Sequence, residues 1–236
     1  IAGQGTIGLE ILDQLPDLDA VIVPIGGGGL ISGVAFAIKS LRPDVKVYGV
    51  QATGAPSMKN SLEHGEVEEL SSVATIADGI AVRKPGDLTY DFCNKYVDEI
   101  VTVTDDEISA AILALMERHK LVTEGAGAVA VAAAMFHKVD IEGKKAVCVL
   151  SGGNIDVTIL SRVIKRGLLM SGRSCQLVIE LMDKPGQLKH VSRIIADLGG
   201  NVTGVLHERS SEGSDVNGCY LRIELETRNH EHIAQI

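Results

Sequence analysis

Aromatic residues and positive charge are scarce in this chain of 236 residues. It has no tryptophan, 3% aromatic residues, and 22 basic against 31 acidic residues, which give a formal net charge of −9. Proteins that bind nucleic acids or anionic membranes need a basic surface, and single-stranded nucleic acids also need aromatic stacking platforms. These absences disfavour nucleic acid and membrane partners and leave small molecules as the expected ligands.

Cysteine clusters and long apolar runs are also missing. Cys93, Cys148, Cys175 and Cys219 are widely separated and form neither a Cys-x-x-Cys pair nor a Cys/His cluster of zinc spacing. We therefore expect no disulfide framework and no metal site, and a reducing cytoplasm fits. The longest run of small apolar residues, 126–136, is too short for a membrane span, so we expect a cytoplasmic chain that is neither exported nor inserted.

Glycine, by contrast, is abundant, and four consecutive glycines form the most informative feature of the chain. Gly26, Gly27, Gly28 and Gly29 separate an apolar run, 20–25, from a helix-like stretch that begins at Leu30. A strand, a bare turn and a helix start in succession leave backbone N–H groups unpaired where a phosphate can approach closely. Taken alone, the run equally suits a tight turn between a strand and a helix.

Strand-like and helix-like segments alternate through the first two thirds of the chain. Residues 45–50, 99–103 and 146–150 predict strands, Thr104 to Glu107 forms a capping box, and 125–135 predicts an alanine-rich helix. Continuous apolar strands between helices indicate an α/β fold with a parallel sheet covered on both faces. Ligands of such sheets sit beyond the carboxyl ends of the strands, so the turns after Ile25 and Leu150 are expected to line one crevice.

A second, smaller domain is predicted after Arg166. Residues 167–174 read as a linker, and 175–236 predict a strand, a turn, the helix 188–198 and two further strands around a polar loop. This is most of a βαββαβ unit, an α+β ferredoxin-like arrangement. Its unpaired sheet edge makes side-by-side pairing and a homo-oligomer plausible.

Five motifs occur in order along the chain: Gly3–Ile11, Gly26–Leu30, Ala77–Gly79, Glu124–Gly127 and Ser151–Asn154. Together they resemble the threonine dehydratase (threonine ammonia-lyase) family of fold-type II pyridoxal phosphate enzymes, of which serine racemases are close relatives. The later segments Asp183–Leu188 and Gly199–Val202 are similar to an ACT domain, an amino-acid-binding regulatory module.

The resemblance implies pyridoxal 5′-phosphate as cofactor, with its phosphate on the glycine loop and the Leu30 amide. It also implies that Ser151 faces the pyridine nitrogen, and that Glu124 and Gly79 lie near the cofactor ring. From the residues alone, Ser151 equally suits a helix N-cap and Glu124 a helix-start acid. Asp78 suits either the pocket or a turn.

The family's Schiff-base lysine lies in a Ser-x-Lys-x-Arg motif that these 236 residues do not contain. The chain starts at Ile1 without Met and ends at Ile236 inside a helix-like stretch. We therefore expect a fragment: a catalytic domain over 1–166 that lacks its N-terminal part, and an ACT-like domain over 175–236 that is incomplete. No catalytic residue is assigned to it, and turnover is expected of the parent enzyme alone.

The parent enzyme is expected to convert L-threonine to 2-oxobutanoate and ammonia, and L-serine to pyruvate. A serine racemase is one alternative, but racemases bind a divalent metal through acidic residues where this chain has Gln51 and Ser57. A non-catalytic amino-acid sensor is the other.

Two expectations concern the C-terminal part of the chain. We expect a branched-chain or related amino acid as allosteric effector between paired ACT-like domains, although a purely structural dimerisation module stays open. The motif His230-Glu231-His232 is compatible with a metal site, but a solvated helix face is the favoured interpretation.

Overall fold

The computed structural model describes residues 1–209 and 217–236, which form two compact units, 1–163 and 164–236. The helices are Ala2–Gln14 (α1), Gly29–Leu41 (α2), Ser57–His64 (α3), Asp87–Tyr96 (α4), Asp105–Ala114 (α5), Gly125–Met135 (α6), Val157–Met170 (α7), Gln187–Asp197 (α8) and His230–Gln235 (α9). The strands are Ala20–Pro24 (β1), Lys46–Ala52 (β2), Glu99–Val103 (β3), Ala146–Cys148 (β4), Ser174–Met182 (β5), Asn201–Glu208 (β6) and Gly218–Glu226 (β7).

The first unit is built on a four-stranded sheet in the order β3-β2-β1-β4, and all three strand pairs are parallel. The central strand β1 is buried along its whole length. A strand that is apolar on both faces can only be buried between two layers, so the predicted parallel sheet is confirmed.

Helices cover both faces of this sheet, and each face has its own core. Ile22 and Tyr48 point towards α5 and α6, whereas Val21, Val23 and Val47 point towards α2. Adjacent strand residues face opposite sides of a sheet, which explains this division. The first unit is therefore a three-layer α/β structure.

The capping box of α5 and the alanine-rich helix α6, both predicted from local sequence, are confirmed. The Thr104 hydroxyl accepts from the Glu107 amide at 3.2 Å, and the Glu107 carboxylate accepts from the Thr104 amide at 2.8 Å, which closes the capping box of α5. Helix α6 is buried nearly all round, as its alanine-rich sequence requires.

The strand order places a topological switch point between β1 and β4. The chain moves from β1 outward to β2 and β3, and then returns to the other side of β1. Loops that leave β1 and β4 diverge at this point and open a crevice at the carboxyl ends of the strands. The glycine loop follows β1, and the segment that contains Ser151 follows β4.

The second unit contains a three-stranded antiparallel sheet in the order β5-β7-β6. One face of the sheet packs on α8, and the buried core residues are Val191, Ile195, Leu221, Ile223 and Leu225. The observed order of elements, βαββα, agrees with the predicted segments over the described residues. The predicted polar loop falls largely on 210–216, which lies outside the described residues.

Two details differ from the sequence-based expectations. Helix α7 runs to Met170, so it continues through Gly167 into the predicted linker, and the boundary between the units falls at 163/164. His232 is buried, at 2% exposure, instead of lying on a solvated face. Its ring lies 3.1 Å from the Arg228 amide and 2.9 Å from the Leu198 carbonyl, contacts that no local pattern reveals.

We find no helix in residues 1–209 or 217–236 that is both long and apolar enough to cross a membrane.

Candidate functional site

A cavity of about 540 Å³ opens at the switch point between β1 and β4. It brings together all eight residues that the sequence predicts for cofactor binding, together with Gln4, Ile7 and Ile80. Those eight residues are Gly26, Gly27, Gly28, Gly29, Leu30, Gly79, Glu124 and Ser151. The predicted crevice between the two turns is therefore present, and the binding role of each residue stays a prediction.

Gly28 determines the shape of the glycine loop. It is the N-cap of α2 and has a left-handed backbone, with φ 91° and ψ −3°. A Cβ atom there would lie 2.7 Å from the Met58 methyl carbon and 2.8 Å from the Thr89 Cβ. Backbone strain and lack of space thus both require glycine at this position.

The loop leaves backbone donors at the cavity. The Ser32 amide donates to the Gly28 carbonyl at 3.0 Å and makes the first hydrogen bond of α2. The amides of Gly29, Leu30 and Ile31 therefore precede the helical ladder, and the positive end of the helix dipole lies beside them.

Space for an anion is available at the same place. A Cβ atom built on Gly27 or Gly29 would meet no other atom within 4 Å, so the two glycines border open cavity. Unpaired amides, a helix N-terminus and free space are the features that bind a phosphate group. The loop consequently fits the phosphate of pyridoxal phosphate.

Thr89 supports this loop from α4 and was not predicted from the sequence. Its hydroxyl lies 2.6 Å from the Gly27 carbonyl oxygen and 2.9 Å from the Gly86 carbonyl oxygen. These contacts tie the glycine loop to the start of α4. No sequence signal indicates this contact, because 62 residues separate the two groups.

Glu124 forms the wall between the loop after β4 and the turn at Gly79. Its carboxylate accepts from the Asn154 amide at 3.1 Å, and its own amide donates to the Gly152 carbonyl at 3.2 Å. The carboxylate also lies 3.1 Å from where a Gly79 Cβ would stand. Glu124 is the N-cap of α6 as well, so it borders the cavity and begins the helix.

Ser151 lines the cavity and is not a helix N-cap. Helix α7 begins six residues later, at Val157, and Asp156 precedes it. The Asp156 carboxylate accepts from the Thr158 amide at 2.7 Å and from the Thr158 hydroxyl. These hydrogen bonds lower the pKa of Asp156. Because the Asp156 carboxylate already accepts from a backbone amide at the start of α7, Ser151 is not needed for this role.

Asp78 serves the turn that carries Gly79. Its carboxylate accepts from the Gly79 amide at 2.9 Å, and residues 78–80 form a 3₁₀ turn. It lines a neighbouring cavity of about 600 Å³ that shares Glu124 with the first cavity. Of the two expectations for Asp78, the structure supports the turn.

The positions at which a racemase would need acidic metal ligands hold the uncharged residues Gln51 and Ser57. Gln51 and Ser57 are buried, and the Gln51 side chain lies between the Ile25 carbonyl at 3.4 Å and the Lys59 amide at 2.9 Å. Among the described residues that line the cavity, none is a lysine.

Two thiols in this unit are poor candidates for nucleophiles. Burial raises the pKa of Cys93 to about 11, although a hydrogen bond with Ser32 opposes the change. Burial also raises the pKa of Cys148 to about 11. Both stay protonated near neutral pH, and the thiolate is the reactive form.

Comparison with known proteins identifies what the chain resembles. The family described as pyridoxal-phosphate dependent enzyme matches residues 1–152. An L-threonine ammonia-lyase from Thermotoga maritima is 52% identical over all 236 residues of the chain and 59% of its own length.

Solved structures agree with this similarity. The processed form of threonine deaminase isoform 2 from Solanum lycopersicum has a TM-score of 0.67 and 43% identity over 71% of this chain and 47% of its own. Maize serine racemase has a TM-score of 0.63 and 37% identity over 70% of this chain and 53% of its own. The matched part of the chain therefore covers between 47% and 59% of the length of these three proteins.

Proposed function

Because the chain belongs to the family of pyridoxal-phosphate-dependent enzymes, we propose that it carries the cofactor-binding core of an L-threonine ammonia-lyase. The reaction is the deamination of L-threonine to 2-oxobutanoate and ammonia, with L-serine to pyruvate as a second activity. One observation carries the proposal: the glycine loop and Ser151 border a single cavity at the switch point of the sheet. The identity to a relative with this activity in its name supports it.

Each part of the cavity has a separate role. The amides of Gly29 and Leu30 bind the phosphate and hold it at the start of α2. Thr89 fixes the loop, and Glu124 maintains the opposite wall through the Asn154 amide. Pyridoxal phosphate supplies the electron sink that stabilises negative charge at the substrate's α-carbon.

Ser151 is proposed to face the pyridine nitrogen. A neutral hydroxyl donates or accepts a hydrogen bond there without holding the nitrogen protonated, as a carboxylate would. With Ser151 at that position, prompt loss of the β-hydroxyl would be favoured over transamination. Lysine chemistry is assigned to the Ser-x-Lys-x-Arg motif of the complete enzyme and not to these 236 residues.

Serine racemisation is the second candidate, because maize serine racemase is a structural neighbour. Against it stand Gln51 and Ser57, whose uncharged side chains offer no carboxylate to a divalent metal. Both polar atoms of the Gln51 carboxamide have hydrogen-bond partners in the same chain, because its nitrogen donates to the Ile25 carbonyl and its oxygen accepts from the Lys59 amide.

The test is product formation by the complete protein that carries this sequence, supplied with pyridoxal phosphate. We expect 2-oxobutanoate from L-threonine and pyruvate from L-serine. D-serine is measured in the same reactions, with and without a chelator. D-serine formation without ketoacid would assign the racemase, and neither product would assign the amino-acid sensor.

The second unit is proposed to be an ACT-like effector domain. Asp183–Leu188 and Gly199–Val202 lie at opposite ends of α8, whose 11 residues span about 16 Å. One copy therefore cannot combine both segments in one small-molecule site, but two copies paired through a sheet edge can. A homo-oligomer that binds a branched-chain amino acid between paired units follows.

Calorimetric titration of the complete protein with isoleucine, valine and threonine tests the effector. Binding of one of them is expected, with a change in ammonia-lyase activity. Absence of heat from all three would leave a dimerisation module.

A cytoplasmic location is proposed from the four cysteines, all of which are free thiols.

A further inference from the structure

Three potential metal ligands meet in the second unit, outside the proposed cofactor cavity. Asp183 follows β5, His207 lies in β6 and Cys219 lies in β7, and one ligand atom from each falls within 4.8 Å of the others. The spacing along the sequence is long and irregular, so a search for zinc motifs does not find this group.

Strand register explains why the three side chains share a face. Cys219 pairs with Leu181, two residues before Asp183, and His207 pairs with Leu221, two residues after Cys219. Paired residues, and residues two apart on a strand, point to the same side of a sheet. The buried Leu221 identifies this side as the one that α8 covers.

The group borders a cavity of about 320 Å³ at the start of α8. Cys219 is buried at 2% exposure, whereas the side chains of Asp183 and His207 are 33% and 37% exposed. A buried sulfur at the base and two accessible ligands above it leave an open approach for an ion.

Arg209 orients the carboxylate. Its Nε lies 3.0 Å from Asp183 Oδ2, whereas the other oxygen, Oδ1, lies 3.7 Å from His207 Nε2. One carboxylate oxygen is thus held by a cation, and the second is directed to the histidine. Ligating carboxylates are commonly held in this way by an outer hydrogen bond.

We propose that Asp183, His207 and Cys219 form a binding site for Zn²⁺. Sulfur, imidazole nitrogen and carboxylate oxygen are the donors that zinc takes, and three protein ligands leave a fourth position for water. Tetrahedral zinc places its donors about 3.3–3.6 Å apart, so the present separation closes through small rotations of Asp183 and His207. Bound zinc joins all three strands of the sheet.

The thiolate and carboxylate supply two negative charges, of which Arg209 balances one. The N-terminus of α8 disfavours a cation, but this effect is small beside direct metal–ligand bonds and is screened by salt. The mixture of ligands disfavours the harder ions magnesium and calcium, since both prefer oxygen alone.

The other histidine motif does not compete for this role. His232 Nδ1 lies 3.1 Å from the Arg228 amide, and His232 Nε2 lies 2.9 Å from the Leu198 carbonyl. Both ring nitrogens therefore have partners inside the unit, and His232 has no free lone pair directed to solvent.

Cobalt provides the direct test, because a cysteine ligand gives Co²⁺ a thiolate charge-transfer absorption. The chain of 236 residues is reduced, freed of metal and titrated with CoCl₂, and then with ZnCl₂, which displaces cobalt. We expect one ion per chain and a charge-transfer band that zinc abolishes. Replacements H207A and D183N should weaken zinc binding by at least roughly 10- to 100-fold, the loss that removal of an outer hydrogen-bond partner already causes, and C219S should remove the band.

Cys175→Ser is the matched control, since Cys175 is a free thiol of the same sheet that does not belong to the group. It should retain the band. Circular dichroism checks folding, and because His207 is exposed, H207A is informative even if C219S fails to fold. No band, or a band that C175S removes and H207A leaves unchanged, would overturn the proposal.

Amino acids are left out of this titration, because they chelate metals and the proposed effector site also uses Asp183. The measurement needs neither pyridoxal phosphate nor enzyme activity. Its outcome is therefore independent of the ammonia-lyase assignment.

Discussion

Gly28 is the residue at which backbone conformation and proposed function are most tightly joined. Its φ of 91° is strained for any side chain, and a Cβ atom would overlap Met58 and Thr89. The backbone conformation of Gly28 also places the amides of Gly29 and Leu30 at the cavity. A substitution here should therefore displace the loop, which weakens phosphate binding and also lowers stability.

We predict that Gly28→Asp weakens pyridoxal phosphate binding by roughly 100-fold or more, a loss of about 3 kcal/mol. A Cβ atom at Gly28 would meet Met58 and Thr89, so the loop must shift and its amides leave the phosphate position. The added carboxylate also repels the phosphate. Cofactor absorbance during titration of the complete protein measures the affinity.

Gly65 offers the matched control for Gly28. It also has a positive φ, 82°, but a Cβ atom there would meet nothing within 4 Å. Gly65→Asp should cost about 1 kcal/mol of stability and leave cofactor affinity unchanged. Equal losses of affinity in both variants would contradict the phosphate assignment.

Ser151 tests a different end of the cofactor. Ser151→Asp should leave phosphate binding intact and change the ratio of elimination to side reactions, because a carboxylate would keep the pyridine nitrogen protonated. Product analysis by chromatography, with Ser151→Ala as the uncharged control, measures the ratio. An unchanged product ratio in Ser151→Asp would remove the assigned contact.

At the scale of elements, Asp98 connects α2 to the start of the inner strand β2. Its carboxylate lies 2.7 Å from Lys39 Nζ in α2 and 3.1 Å from Lys46 Nζ, and it accepts from the Val47 amide at 2.8 Å. Burial raises the pKa of Asp98, but these hydrogen bonds together outweigh burial and leave the pKa below its usual value.

A carboxyl group with a lowered pKa in the folded state stabilises the protein above its unfolded pKa. That contribution is lost as pH falls through the folded pKa, so the affected range lies below about pH 4. We predict that Asp98→Asn lowers stability at pH 7 and flattens the acid-induced loss. Urea denaturation at a series of pH values measures both.

Asp44→Asn is the control for Asp98, because Asp44 pairs with Arg42 on the surface and is 64% exposed. Exposed pairs contribute little to stability. A similar effect of both replacements would show that Asp98 acts only through general charge.

Elements with local signals were predictable, and contacts between elements were not. The capping box at Thr104 and strand Glu99–Val103 depend on neighbours in sequence, so their patterns predicted them correctly. The support of the glycine loop by Thr89, the burial of His232 and the ligand group at Cys219 depend on residues brought together by topology. Helix α7 continues through Gly167 because an isolated glycine only weakens a helix.

At the scale of the molecule, the two units have separate hydrophobic cores. The sheet of the first unit is covered on both faces, whereas the core of the second unit lies between its sheet and α8. Separate cores indicate separate folding units, although α7 extends across the boundary at 163/164.

A pair of matched isoleucine truncations tests this division. Ile22 is fully buried in the first core, and Ile195 is 2% exposed in the second. Replacement of a buried isoleucine by alanine costs about 2–5 kcal/mol. We predict two thermal transitions by calorimetry, of which Ile195→Ala lowers only that of the second unit, by roughly 8 °C or more.

Ile22→Ala should lower the transition of the first unit and leave that of the second unit unchanged. Each variant is therefore the control for the other. Zinc should raise only the transition that Ile195→Ala lowers, because an ion that binds the folded state alone stabilises the unit that holds it. If both truncations shift one common transition, the two cores unfold cooperatively, and α7 transmits stability from one unit to the other.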